Sequence, residues 1–235
     1  MSGFWKRLRF YLFGFLIGLI FVLIFFQNRG CSWTPQNRVK NAILDKVMVV
    51  PDHHLAKNSE LEGFAAKEAI EFLNQASVNF GESLKDQDVY PKVYLLQREK
   101  ESPQQLTFSL YEDSYITVVE PVESAKELER KEAFEGMGTF IRLPKDSALV
   151  YLEKSNYLQC KARGLNSTKQ EDIVQNLKRT GAINFDKSDL MLPKAEHYIH
   201  FRQNDTLNVR AKSIWYESRI TFKDFQWDYT LPCEE

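Results

Sequence analysis

Four histidines carry most of the acid–base capacity of this 235-residue chain, and their spacing limits what they can do. His53 and His54 follow Asp52 in a segment that reads as a turn. A metal site needs ligands converging from one direction, with further ligands at a defined spacing. Adjacent side chains in a turn point apart, so no metal site is expected there. His197 and His200 fall three apart in a segment that reads as a strand. They therefore face opposite sides of a sheet and do not share a ligand role. Cys160 and Cys233 could pair in an oxidising compartment or remain free, buried thiols; Cys31 is left over in either case. Gly136-x-Gly138 has no third glycine and no preceding strand, so it is not a dinucleotide loop. The chain contains no P-loop, no Gly-x-Ser-x-Gly elbow and no His-Glu-x-x-His. No catalytic residue, metal ligand or cofactor is assigned, and no small-molecule substrate is evident.

Thirty-one Lys and Arg are balanced by thirty-two Asp and Glu, a net charge of −1. That balance gives no electrostatic reason to expect a nucleic-acid partner. Three cysteines do not make a disulfide scaffold. Seventeen Phe and ten Tyr supply enough bulk for a core.

The N-terminus carries an uncharged run from Phe10 to Phe26. As a helix it would be about 25 Å long, at the lower edge of what crosses a bilayer core. Trp5 and Trp33 flank it, roughly 42 Å apart in helical rise, and tryptophan favours the membrane interface. A cleaved signal peptide ends in small residues, whereas this run ends Phe25-Phe26-Gln27-Asn28-Arg29. The expectation is an uncleaved single-pass anchor over 1–33. Gly14-x-x-x-Gly18 within it matches a helix-packing motif, and a lone match is also what ordinary membrane glycines give. Lys6, Arg7 and Arg9 precede the run, while Arg29, Arg38 and Lys40 follow it. The tight first cluster favours a cytoplasmic N-terminus, with the remainder exported.

Beyond the anchor the chain repeats itself. Val78-Asn79-Phe80-x-x-Ser83 recurs as Ile183-Asn184-Phe185-x-x-Ser188, and Ser114-x-Ile116-Thr117 as Ser218-x-Ile220-Thr221. An internal duplication constrains architecture ahead of any other feature. In the first copy, helices are predicted over Pro35 to about Met48 and Ser59 to Asn74, separated by the turn at Pro51–His54. Strands follow at Lys92–Arg98, Gln105–Tyr111 and Ser114–Val119. In the second copy a helix opens at Thr168, where Thr168-x-x-Glu171 is a capping box, and closes with Gly181 as a C′ glycine. Strands follow at Glu196–Arg202, Leu207–Ile214 and Arg219–Phe222. Helix then antiparallel meander, twice, predicts an α+β protein. It would comprise a transmembrane helix and two tandem domains, 34–119 and 146–235, joined by a charged connector over 120–145.

Cys160-Lys161-Ala162-Arg163-Gly164-Leu165, Gln170-Glu171-Asp172-Ile173, Gly181-Ala182-Ile183-Asn184-Phe185-x-x-Ser188 and the late Cys233 resemble a domain of unknown function common in Bacteroidetes bacteria. That domain is similar in fold to small ribonuclease toxins. The resemblance covers about eighty residues of the second copy and, more weakly, the first. It implies a bacterial protein, here with its anchor in the inner membrane and its domains in the periplasm. The family's histidine ahead of the arginine is missing, since Lys154–Gln159 contains none. The first copy lacks the cysteine and arginine as well. RNA cleavage needs a titratable donor and a cation over the phosphate, and only His197, His200 and Arg163 are left as scattered candidates. Asp146-Ser147-Ala148 and Asp205-Thr206-Leu207 also resemble the O-glycan acceptor signature of exported proteins from those bacteria, with Ser147 and Thr206 as acceptors. The expected function is therefore a non-catalytic, membrane-anchored interaction protein, an accessory subunit of an envelope complex. The alternatives are a ribonuclease-like enzyme or an immunity-like binder of a related toxin.

Overall fold

The computed structural model describes residues 2–29, 34–57, 61, 64–99, 104–122, 128–144, 149–152, 170–203, 207–216 and 219–227. Two units are distinguished, Met1–Val39 and Lys40–Glu235.

The first unit is dominated by helix α1, Ser2–Arg29. Its side chains are described from Gly3 to Val22, and the large apolar ones among them are exposed, including Trp5, Phe10 and Phe15. Among the described residues no helix is long and apolar enough to cross a membrane. The charges of Lys6, Arg7 and Arg9 interrupt the N-terminal part of α1, and the uncharged run that follows, Phe10 to Phe26, rises only about 25 Å against a core of ~30 Å. This overturns the expected transmembrane anchor, and with it the single-pass inner-membrane and periplasmic placement.

Among the described residues, the second unit is built on one mixed sheet of eleven strands. Helix α2 (Pro35–Leu44) begins in the first unit, and β1 (Val47–Pro51), α3 (Asp52–Lys57) and α4 (Ala66–Gln75) follow. Next come β2 (Ser77–Leu84), β3 (Lys92–Gln97), β4 (Gln105–Leu110) and β5 (Ile116–Pro121). Strand β6 (Met137–Arg142) precedes β7 (Leu149–Leu152), α5 (Gln170–Thr180), β8 (Ala182–Asn184), β9 (Glu196–Gln203), β10 (Leu207–Tyr216) and β11 (Arg219–Trp227). The sheet order is β2-β3-β4-β5-β1-β6-β8-β9-β10-β11-β7.

The same path is traced on either side of β6. In the first half β1 lies parallel to β5, with Val47 opposite Ile116. In the second β7 lies parallel to β11, with Val150 opposite Ile220. A helix follows the first strand of each half, and three antiparallel pairings complete it. The corner after each helix is also repeated atom for atom. Asn79 Oδ1 accepts the Glu82 N–H at 3.2 Å, and Asn184 Oδ1 the Lys187 N–H at 3.1 Å. Ser83 and Ser188 donate to the Asn79 and Asn184 carbonyls, each at 2.6 Å. Each serine Oγ then accepts a backbone N–H from the next strand, Leu95 at 3.1 Å and Tyr198 at 2.9 Å. Asn and Ser suit such corners because their short side chains reach nearby backbone groups.

Two tandem domains with purely antiparallel meanders are therefore replaced by one continuous sheet. Its core is shared: Val47, Tyr115 and Ile116 of the first half cluster with Phe140 of β6 and with Ile183, Ile199 and Phe222 of the second. The 120–145 region, expected to be a connector, contributes the end of β5 and all of β6. β6 is antiparallel to both β1 and β8 and so joins the halves. Val47–Pro51 is a strand rather than a helix end, buried at every position. Gly181 is not in the left-handed region; a Cβ there would collide with the Leu177 carbonyl and lie 2.6 Å from the Phe140 ring. Glycine is needed because the chain passes so close to α5. Gly138 is likewise pressed by Phe185, 2.5 Å from where a Cβ would stand. Phe185 is buried in the shared core, whereas Phe80 at the matching corner is only half-buried, with Lys85 over its ring.

Candidate functional site

Among the described residues, three constellations bring together groups capable of chemistry. The first joins the two halves. Ser114, just before β5, places Oγ 2.7 Å from His197 Nε2, and His197 Nδ1 lies 3.2 Å from the Ser213 carbonyl. A carbonyl only accepts, so Nδ1 carries the proton and Ser114 donates to Nε2. Tyr115 hydrogen-bonds Ser213 Oγ, and its ring sits 4.0 Å from the His197 ring. Lys46 donates to the Tyr111 carbonyl at 2.8 Å and to the Ser114 carbonyl. A hydroxyl on an imidazole whose far nitrogen is anchored is the geometry of an activated nucleophile. Here it is sealed: Ser114, His197 and Ser213 are all fully buried. Burial, with the Lys46 charge adding to it, pushes the His197 imidazole down to about 3. Burial also pushes Lys46 down to about 8. A base that resists protonation and meets no solvent cannot take a proton from an attacking hydroxyl. The dyad is a satisfied polar tie between the halves.

The second constellation lies at the carboxyl ends of β1 and β5. Parallel neighbours deliver their C-termini to the same edge, where ligands commonly bind in α/β sheets. Glu120 near the end of β5 accepts His54 Nε2 at 3.1 Å and Lys131 Nζ at 2.6 Å. The His53 and His54 rings are 4.1 Å apart, and ligand atoms of His53, His54 and Glu120 all lie within 4.8 Å of one another. Burial alone would raise the Glu120 carboxyl, but its contacts with His54 and Lys131 outweigh that and hold it below the usual carboxylate range. Asp52 accepts the Thr139 hydroxyl at 2.8 Å, fixing the start of α3 against β6. The two histidines thus converge rather than point apart, because α3 starts directly after β1 and turns both rings toward β5.

The third constellation is the outer face of the second half. Along β9 the residues alternate: His197, Ile199 and Phe201 are buried, while Tyr198, His200 and Arg202 are partly or fully exposed. The register sets Arg210 opposite His200 and Asn208 opposite Arg202. On the other side of β10, Lys212 stands opposite Lys223. Like charges directly opposite across a strand pair are destabilising. Glu196 reaches Lys212 at only 3.7 Å, with both side chains about half exposed. Thr180 at the end of α5 accepts the Arg202 N–H at 2.8 Å, and Lys187 lies over the Tyr198 ring. Thr180, Lys187, His200, Arg202, Asn208 and Arg210 line a groove of about 390 Å³.

The residues singled out in the sequence are distributed unevenly. His197 and His200 do take opposite faces of β9. Trp5 is exposed on α1, and nothing lies within 4 Å of a Cβ at Gly14 or Gly18. Cys31, Trp33, Ser147, Cys160, Arg163, Thr206 and Cys233 lie outside the described residues, as does the Thr168 capping box. Glu120, Lys131, Arg202 and Arg210 were not singled out. The alternation of β9 and β10 could have grouped the two arginines, but nothing local links Glu120 to His54, 66 positions away. No family model matches the chain, and no curated protein or solved structure matches it.

Proposed function

We propose that the protein is a non-catalytic interaction protein, and that the outer face of its second half docks an acidic segment of a partner protein. The observation that carries this is the cross-strand placement of cations on an exposed sheet face, Lys212 opposite Lys223 beside Arg202 and Arg210. An exposed face carrying several cations attracts a carboxylate-bearing segment. The near-zero net charge favours a short acidic segment over a long polyanion, which would be held by many phosphate contacts. The sealing of the Ser114–His197 dyad supports a non-catalytic role. The test is fluorescence anisotropy of a labelled glutamate-rich peptide titrated with the full chain. Binding that weakens with salt, and weakens at least about tenfold in an Arg202→Glu, Arg210→Glu double variant, is expected. No binding, or binding indifferent to the double variant, contradicts the proposal.

One observation favours a second reading, a ribonuclease-like enzyme. His200 stands in the groove with Lys187, Arg202 and Arg210, a titratable group among cations. Incubation of the full chain with single-stranded RNA decides it. Cleavage that disappears in His200→Ala would replace the binding proposal, and intact RNA removes the enzyme.

A further inference from the structure

We propose that His53, His54 and Glu120 form a binding site for a divalent transition metal ion, zinc in particular, with solvent completing the coordination. The site is remote in sequence from the cationic face of the second half and does not depend on that face having any role.

The donor set is two imidazoles and one carboxylate, a combination that zinc takes with an open fourth position. Magnesium and calcium prefer oxygen ligands throughout, so the chemistry selects against them. The geometry is close to what coordination requires. Ligands bound at ~2.0–2.1 Å in a tetrahedron sit about 3.3 Å from one another. His54 Nε2 and Glu120 Oε1 are already 3.1 Å apart. The third ligand atom lies within 4.8 Å of both, and His53 is exposed, so its ring can turn inward. The supports are also in place. Glu120 is held on β5 with only 11% of its side chain exposed, and Asp52 is pinned to Thr139 immediately before the two histidines.

A cation already occupies part of this position. Lys131 Nζ sits 2.6 Å from Glu120 Oε1, the same oxygen that faces His54. Its side chain is 43% exposed and can swing into solvent when a dication replaces it. Lys131 is thus a competitor, and its removal should tighten metal binding, the reverse of what removal of a supporting residue does. The second half offers a contrast. Its β7 pairs with β11 as β1 pairs with β5, so Val150 corresponds to Val47. Counting on from there, Asn156 and Tyr157 stand in sequence where the first half has His53 and His54. Imidazole pairs occur at this position in the first half alone.

The test uses the untagged full chain, treated with chelator and titrated with Zn²⁺ against a chromophoric competitor, and with Co²⁺ for its visible spectrum. One equivalent should bind, with cobalt bands of nitrogen and oxygen ligation and no response to Mg²⁺. Affinity should fall at least about tenfold in His53→Ala and in Glu120→Gln, and rise in Lys131→Met. His53 is exposed, so its substitution leaves the fold intact, and circular dichroism checks this for Glu120→Gln. Three results would overturn the site: no bound metal, zinc binding unchanged by His53→Ala, or a thiolate-to-cobalt band placing the metal on cysteine.

Discussion

Acid should weaken this fold through one residue, and the size of the effect follows from burial. His197 is fully buried, with Ser114, Ser213, the Tyr115 ring and the Lys46 charge around it. Burial holds it neutral down to about pH 3, whereas in the unfolded chain it titrates near 6.5. Between those values the unfolded chain binds a proton that the native chain does not. Stability is therefore fully present above pH 6.5 and is lost as pH falls toward 3, by about 1.4 kcal/mol per pH unit. From pH 6.5, where the unfolded histidine is already half protonated, to 4.5 this amounts to about 2.3 kcal/mol. Carboxylates with lowered values, Glu120 among them, add their own acid sensitivity, so the test is a difference. Urea denaturation of the wild type and of His197→Gln at the two pH values isolates the histidine. The wild type should lose about 2–3 kcal/mol more than the variant over that interval. Equal losses in the two proteins would show that His197 is protonated in the native state, and the sealed-dyad account would fail with it.

The two matching corners should respond unequally to the same truncation. Phe185→Ala removes a ring 4% exposed in the shared core and should cost about 3–5 kcal/mol, whereas Phe80→Ala, at a half-buried site, should cost about 1 kcal/mol. Matching urea midpoints for the two variants would contradict the packing described. Gly181→Ala should destabilise by about 1–3 kcal/mol, since the added methyl meets the Leu177 carbonyl and the Phe140 ring. A raised melting temperature, as unstrained Gly→Ala changes give, would count against that close approach.

What the sequence disclosed was local. Asn79 and Ser83, and again Asn184 and Ser188, build their corner with partners a few residues away, and the repeated motif announced it. The alternation along β9 likewise reflects one face in the core and one toward solvent, whereas in β4 the alternating Thr107 and Ser109 are buried as well. Three strands were not legible: Val47–Pro51, which is buried at every position so that no two-residue period marks it, the six-residue Met137–Arg142, and the four-residue Leu149–Leu152. Their identity as strands depends on partners distant in the chain, β5, β8 and β11. That is why two tandem domains were expected where a single sheet forms. It is also why the His54–Glu120 contact was invisible, because parallel pairing of β1 with β5 creates it. The N-terminal helix erred in the other direction. Its hydropathy suggested a span, but after the charges at Lys6, Arg7 and Arg9 the uncharged run from Phe10 to Phe26 rises only about 25 Å against a core of ~30 Å.

The proposal that the protein works by binding rests on where an acidic partner would sit. Amide and side-chain NMR of the isotope-labelled full chain, recorded with and without a glutamate-rich peptide, locates that place directly. The account predicts saturable shifts confined to Lys187 and the exposed positions of β9 and β10, with Arg202 and Arg210 at their centre. Shifts scattered over the surface, or none in β9 and β10 at peptide saturation, would contradict it.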